Sequence, residues 1–229
     1  MNVLIYFAPK HNGYSVRLVI NYSKEYVFVK VKINFTKKIN KVRMTCNIKQ
    51  TVALVGMMGS GKTVIGRGLA RKLNASFIDL DQEIIKSANL EIEEIFNTFG
   101  EGFFRDKEEK VLERLIYGAP VVLATGGGTL ISKTNLSLIL NKTFSIWLKS
   151  NPKIIWNRIR NKKSRPLVNK CKDFSDFNEI YKSREKLYKN ANISVLNDYD
   201  YNIEKMIEKT FEGFSSYNQI SYIRKDKNA

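Results

Sequence analysis

The sequence predicts an α/β domain in which a parallel sheet of five short strands is covered by helices. Five short apolar runs recur from residue 51 onward, with segments of helical periodicity in the gaps between them. The runs are apolar almost throughout rather than alternating, as strands buried on both faces must be. The first run also feeds the small-residue stretch "GMMGSGKT", Gly56–Thr63, which a helical pattern follows directly.

In chain order, "TVALV" (51–55) is the first expected strand. The spacing Gly-x-x-x-x-Gly-Lys-Thr behind it is that of a phosphate-binding loop. Its glycines let the backbone wrap so that N–H groups point inward at an anion. Lys62 is positioned to reach β- and γ-phosphates, and the Thr63 hydroxyl to ligate Mg²⁺. The run "VIGRGLARKL" reads as a helix whose N-terminus faces the same phosphates. A chance glycine-rich turn is the plain alternative, and it explains neither the strand before nor the helix after.

"ASFIDL" (75–80) is the second expected strand, running into "FIDLD". Alternate residues of a strand point to one face, so Asp79 and Asp81 are expected to leave the sheet edge together. Open α/β sheets bind ligands at the carboxyl ends of their strands. A carboxylate pair there can hold Mg²⁺ and accept a proton from an incoming hydroxyl; the alternative is that one Asp caps the helix "QEIIKSA". Ile92, Ile95, Phe96 and Phe99 share one helical face, and that helix is expected to stop at Gly100. "GEGFFRDKEEKVL" then opens another helix with Arg105 in its first turn. A cation there opposes the helix dipole, which asks for an anionic partner, either a ligand carboxylate or a neighbouring Glu.

"VVLAT" (121–125) is the third strand, ending in "TGGGT". Three glycines allow a ligand to approach the backbone closely, whereas a plain left-handed turn needs only one or two. "TFSIWL" (143–148) is the fourth, and Pro152 opens the helix "PKIIWNRI", where its missing N–H costs little. The stretch "NRIRNKKSRPLVNKCK" (157–172) holds seven Lys/Arg and no acid. It reads either as a solvated basic face or as a lid that neutralises charge over a triphosphate. "YKSREKLY" offers Arg184 and Tyr188 on one helical face, "NISVL" (192–196) is the fifth strand, and "IEKMIEKTFEGF" the last helix.

Composition excludes several chemistries. The 229 residues suffice for one domain with additions, and 43% hydrophobic with 27% charged residues is a globular balance. No apolar run approaches the roughly 18 residues of a membrane span. Cys46 and Cys171 form no disulfide framework or metal spacing, which reads as a reduced, intracellular protein. His11 is the only histidine, so Ser-His-Asp hydrolysis, histidine zinc sites and histidine acid–base catalysis fall away. The net charge of +17 is uneven: residues 1–50 carry ten Lys/Arg against the single acid Glu25. Abundant Lys, Asn and Ile fit an A/T-biased genome, and no aromatic-rich nucleic-acid motif accompanies the charge. Neither nucleic acid nor membrane is therefore an expected partner. Residues 1–43 form a basic extension; "EYVFVKVKINF" in it alternates like a strand but has no obvious partner. The favoured reading is translation from Met44, with a transit peptide or an appended arm as alternatives.

Taken in order, "GMMGSGKT", "DLD", "FGEGFFRDKEEKVL", "GGGT", "SRPL" and "SREKLY" resemble the shikimate kinase family over about residues 51–196. Adenylate kinases share the phosphate loop but not the other motifs together. The resemblance implies a three-layer α/β/α sandwich on five parallel strands, of the P-loop nucleoside-monophosphate-kinase type. It implies a kinase domain over 44–213, with a lid at about 157–175 and a polar tail at 214–229. The reaction implied is ATP-dependent phosphorylation of the shikimate 3-hydroxyl, a step towards chorismate and the aromatic amino acids. Mg²⁺ is the implied cofactor of a cytoplasmic monomer, or of a plastid protein if residues 1–43 are a leader.

By the same resemblance Gly59, Ser60, Gly61, Lys62, Thr63, Val64, Arg158 and Arg165 serve ATP, and Lys62 and Arg165 act in catalysis. Thr63, and Asp79 through water, serve Mg²⁺. Asp81 is the general base and holds shikimate hydroxyls. Arg105 and Arg184 grip the shikimate carboxylate, beside the backbone of Gly126, Gly127 and Gly128. "RPLV" replaces the commoner Arg-Pro-Leu-Leu, and "NL" (135–136) a frequent Asn-Arg. Gluconate kinase is the competing enzyme, because gluconate also carries a carboxylate. A nucleotide-binding module that has lost catalysis is the competing class; intact Lys62, Thr63, Asp81, Arg105 and Arg184 argue against it.

Overall fold

The computed structural model describes residues 2–10, 13–22, 25–30, 48–160, 171–197 and 202–226. The chain divides into two compact units, Met1–Arg43 and Met44–Ala229. In the first, β1 (Asn2–Lys10), β2 (Gly13–Tyr22) and β3 (Glu25–Lys30) form an antiparallel sheet in that order. The strand expected in "EYVFVKVKINF" thus has a partner after all: Arg17–Tyr22 of β2 pairs along β3. A signal for that partner does stand in the sequence: Asn12-Gly13, a hairpin-turn dipeptide, separates two segments rich in β-branched and aromatic residues.

In the second unit β4 (Val52–Val55), β5 (Ser76–Asp79), β6 (Val121–Ala124), β7 (Phe144–Ser150) and β8 (Ile193–Asn197) build a parallel sheet in the order β5-β6-β4-β7-β8. Both of its faces are buried. Ala53, Val55, Val121, Leu123 and Trp147 pack into one core, while Val52, Leu54, Val122, Ile146 and Leu148 pack into the other. Each strand alternates between the layers, so an unbroken apolar run is what two buried faces require. Helices α1 (Lys62–Lys72) and α7 (Ile203–Asp226) supply the second layer. On the opposite face lie α2 (Leu80–Ala88), α3 (Ile92–Ile116), α4 (Lys133–Lys142), α5 (Pro152–Ile159) and α6 (Phe174–Tyr188). The α/β/α sandwich on five parallel strands is the expected fold.

Three local readings change. β5 ends at Asp79, and Asp79 caps α2 by accepting from the Asp81 N–H at 3.1 Å. Asp81 therefore sits in the first turn of α2 rather than on the strand; the cap stops the strand before alternation reaches it. The helix stop expected at Gly100 is present as a kink, φ 80 and ψ 175, between the two helical halves of α3. Arg105 lies beyond the first turn after that break. Lastly, α7 continues past Phe214 to Asp226, and Phe144 packs edge-on against both Phe214 and Tyr217. No helix among the described residues is long and apolar enough to cross a membrane.

Candidate active site

The loop Gly56–Thr63 joins the central strand β4 to α1. Gly59 and Gly61, at φ 81 and 94, hold a left-handed backbone that other residues adopt only under strain. Lys62 is buried, and its ammonium donates to the Gly56 and Met57 carbonyls at 2.7 and 2.9 Å. A cation folded back onto its own loop is poised to exchange carbonyls for stronger phosphate acceptors. The Thr63 hydroxyl donates to Asp79 Oδ2 at 2.7 Å, so the outer carboxylate oxygen meets the loop while the inner one caps α2. A cavity of about 530 Å³ opens over these groups, lined among others by Lys62, Thr63, Val64, Asp79 and Arg158. Arg158 Nη1 donates to the Gly59 carbonyl at 3.4 Å.

A second cavity, of about 370 Å³, lies between α2, α3 and the three-glycine loop. Met58, Asp81 and Gly127 line both cavities. The glycines of this loop are not needed for left-handed backbone, since none has positive φ. They are needed for closeness. A Cβ on Gly126 would stand 3.0 Å from Asp81 Oδ1, on Gly127 2.8 Å from the Met58 nitrogen, and on Gly128 2.8 Å from Arg105 Nη2.

Arg105 answers the question its position raised with protein carboxylates. Its Nη1 donates to Glu108 at 2.7 Å, and its Nη2 and Nε to Glu101 at 3.0 and 3.3 Å. Burial works to lower its pKa, but Glu108 and then Glu101 outweigh this and raise it. Glu108 is only 1% exposed and also accepts from the Thr129 hydroxyl at 2.6 Å. Arg184 is in the opposite condition. It is 5% exposed, and its acceptors are the Gly127 carbonyl at 3.2 Å and Met57 Sδ at 3.7 Å. No carboxylate among the described residues forms an ion pair with it. Burial first, and the nearby Arg105 cation as well, lower its pKa despite an opposing contribution from Tyr188.

Most of the expected residues therefore converge. Gly59, Gly61, Lys62, Thr63, Val64, Asp79 and Arg158 surround the first cavity, Arg105, Gly126 and Gly128 the second, and Asp81 and Gly127 both. Ser60 lies buried beneath the loop with its hydroxyl unpartnered, and Arg184 sits behind Gly127 rather than in either wall. Arg165 and the centre of the basic stretch, 161–170, lie outside the described residues. Sequence reading gave no role to Glu108, Thr129 or the Tyr188 hydroxyl. For Glu108 a signal existed: it shares the helical face of Phe104, Val111 and Leu112, where an acid stands at an apolar position.

Mg²⁺ takes hard oxygen ligands and commonly keeps one or two protein oxygens beside phosphates and water. The adjoining Thr63 and Asp79 oxygens, at the edge of the first cavity, fit such an ion.

Comparison with known proteins follows the same lines. The profile of the shikimate kinase family matches residues 58–214. A shikimate kinase of Ruegeria pomeroyi is 40% identical over 173 residues, 76% of this chain and 89% of that protein. One of Cereibacter sphaeroides is 42% identical over 153 residues, 67% of this chain and 77% of that protein. Among solved structures, the shikimate kinase of Acinetobacter baumannii in complex with shikimate aligns with a TM-score of 0.70 at 29% identity. It covers 75% of this chain and 96% of its own.

Glu108→Gln keeps the side chain's shape but leaves Arg105 with only the exposed Glu101. Breaking a buried pair costs about 3–5 kcal/mol, and the remaining partner places this loss near the lower end. Chemical denaturation is expected to show about 3 kcal/mol lost; under about 1 kcal/mol is the behaviour of an exposed pair and would refute a buried one.

Proposed function

The chain belongs to the shikimate kinase family, and on that premise we propose how its residues divide the work. It catalyses ATP-dependent phosphorylation of shikimate, a step of aromatic biosynthesis. The observation that carries the division of labour is the meeting of two cavities at one carboxylate, Asp81. A phosphate-binding loop bounds one cavity, Arg105 lines the other, and Arg184 stands behind its Gly127 wall. The acid between them stands where a donor phosphate and an acceptor hydroxyl would meet.

Phosphoryl transfer depends on positioning and charge neutralisation more than on covalent chemistry. The inward amides of Gly59, Ser60 and Gly61, with Lys62, hold the phosphates of ATP, and Val64 and Arg158 border the nucleotide. Lys62 leaves the Gly56 and Met57 carbonyls for the phosphate oxygens. Thr63, and Asp79 through water, hold Mg²⁺, which when bound neutralises charge on the transferring group. Arg165 is assigned on the "SRPL" motif alone, as a further positive group for the developing charge.

In the second cavity Arg105 and Arg184 bind the shikimate carboxylate, with Gly126, Gly127 and Gly128 giving the ring a surface free of side chains. Asp81 accepts the ring hydroxyls and takes the proton of the 3-hydroxyl as its oxygen attacks. An uncharged acceptor would leave the buried Arg184 without an ionic partner, so the carboxylate is integral to recognition. Every assigned residue lies between Gly59 and Arg184, inside a kinase domain taken as 44–213. Two cysteines without a disulfide framework support a reducing, cytoplasmic setting.

Two outcomes are expected. A chain starting at Met44 keeps full turnover; if it folds but loses most activity, residues 1–43 belong to the enzyme. Asp81→Asn keeps the shape and one acceptor oxygen but removes the proton-accepting charge. Its turnover should fall by about 10²–10⁴-fold, the range of acid–base catalysis, with ATP binding retained. Normal turnover in the folded variant would sink the assignment.

A further inference from the structure

The Gly127 carbonyl is held from behind by two donors on α6. Arg184 Nη1 reaches it at 3.2 Å and the Tyr188 hydroxyl at 2.6 Å. Arg184 and Tyr188 are one helical turn apart on the same face, and both are buried. A carbonyl oxygen accepts two hydrogen bonds, so these donors fill its capacity. They are not equivalent during binding. The proposed function gives Arg184 a second acceptor, because its remaining N–H donors can turn to a substrate carboxylate while Nη1 faces Gly127. The tyrosine has one proton to give, and the Gly127 carbonyl at 2.6 Å is its short acceptor, with Met57 Sδ further off at 4.0 Å. Burial, the largest cause, pushes the Tyr188 pKa well above the ordinary tyrosine value, so the hydroxyl stays a proton donor at working pH. Its ring is fixed against Trp147, with centroids 6.1 Å apart.

The consequence reaches the cavities through the peptide plane. The described peptides are all trans, so the Gly128 N–H points opposite to the Gly127 carbonyl. Pinning that carbonyl towards α6 fixes the direction of the Gly128 amide. It also fixes Gly127 against Met58, where no Cβ fits.

We propose that Tyr188 is a positioning residue for shikimate: its hydroxyl holds the Gly127–Gly128 peptide in place while Arg184 is shared between that peptide and the substrate carboxylate. This rests on the reading that the second cavity takes shikimate. The bond works in the acceptor complex rather than in ATP binding, so its loss should appear in one Michaelis constant only.

The test compares the full chain with Tyr188→Phe, which keeps the ring, and with Tyr181→Phe. Tyr181 is a buried tyrosine of the same helix whose hydroxyl donates to the Ser150 carbonyl at 3.0 Å, away from the glycine loop. Kinetics are read below each variant's own melting temperature. Tyr188→Phe is expected to raise KM for shikimate about five- to tenfold, the worth of one net hydrogen bond of ordinary to good strength. Its KM for ATP and its kcat should stay within about twofold, and Tyr181→Phe should leave all three unchanged on the same criterion. An unchanged KM for shikimate in Tyr188→Phe overturns the proposal. So does an equal rise for both substrates, or the same rise in Tyr181→Phe, because either is the mark of general loosening. Failure of the underlying reading is distinct: the unaltered chain would then not turn over shikimate.

Discussion

A guanidinium buried to 5% exposure, with a carbonyl and a thioether as its acceptors, is the constraint around which this site is arranged. Removing a charge from water is costly unless the protein supplies an opposite charge or several good hydrogen bonds. Arg184 has neither in full, and the neighbouring Arg105 makes its position less favourable still. The fold holds it there by packing Tyr188 of α6 against Trp147 of β7. A buried cation short of partners is a standing demand for an anion. That demand separates an acid-recognising kinase from one that phosphorylates a neutral sugar.

The rest of the pocket follows from keeping that cation and the phosphate loop close without letting them merge. The loop leaves the central strand β4, and the glycine loop leaves its neighbour β6, so adjacent strands deliver the loops that border the two cavities. Met57 and Met58 lie between them. The Met57 carbonyl receives Lys62 while its sulfur receives Arg184, so one residue touches both cationic groups. A side chain at Gly127 would meet the Met58 backbone, while at Gly126 and Gly128 it would displace the side-chain ends of Asp81 and Arg105. Arg105 is handled differently. Its charge is already matched by Glu108 and Glu101, which fix the direction of its guanidinium.

Features set within one short stretch of chain were the ones legible in the sequence. Strands buried on both faces announce themselves as unbroken apolar runs, and all five were found within about two residues of their ends. The phosphate loop is legible because its spacing is its mechanism. Asp79 and Asp81 were legible as a pair but not as a geometry: the helix cap at Asp79 ends the strand, which alternation alone cannot foresee. Glu108 was given no role, although an acid on its otherwise apolar helical face was the signal for one. The acceptors of Arg184 were not legible at all. Gly127 and Met57 come from loops far away in the chain, and only the packing of α6 behind them makes the contact.

The most direct measurement replaces the charge rather than the protein. Shikimate methyl ester keeps the ring, all hydroxyls and nearly the same shape, but carries no negative charge for the buried arginine. In a coupled ADP-release assay, kcat/KM for the ester should fall at least about 10²-fold below that for shikimate, the loss of a buried charged pair. An ester used within about threefold of shikimate would mean that the arginines sit in effectively aqueous surroundings, and would contradict the account.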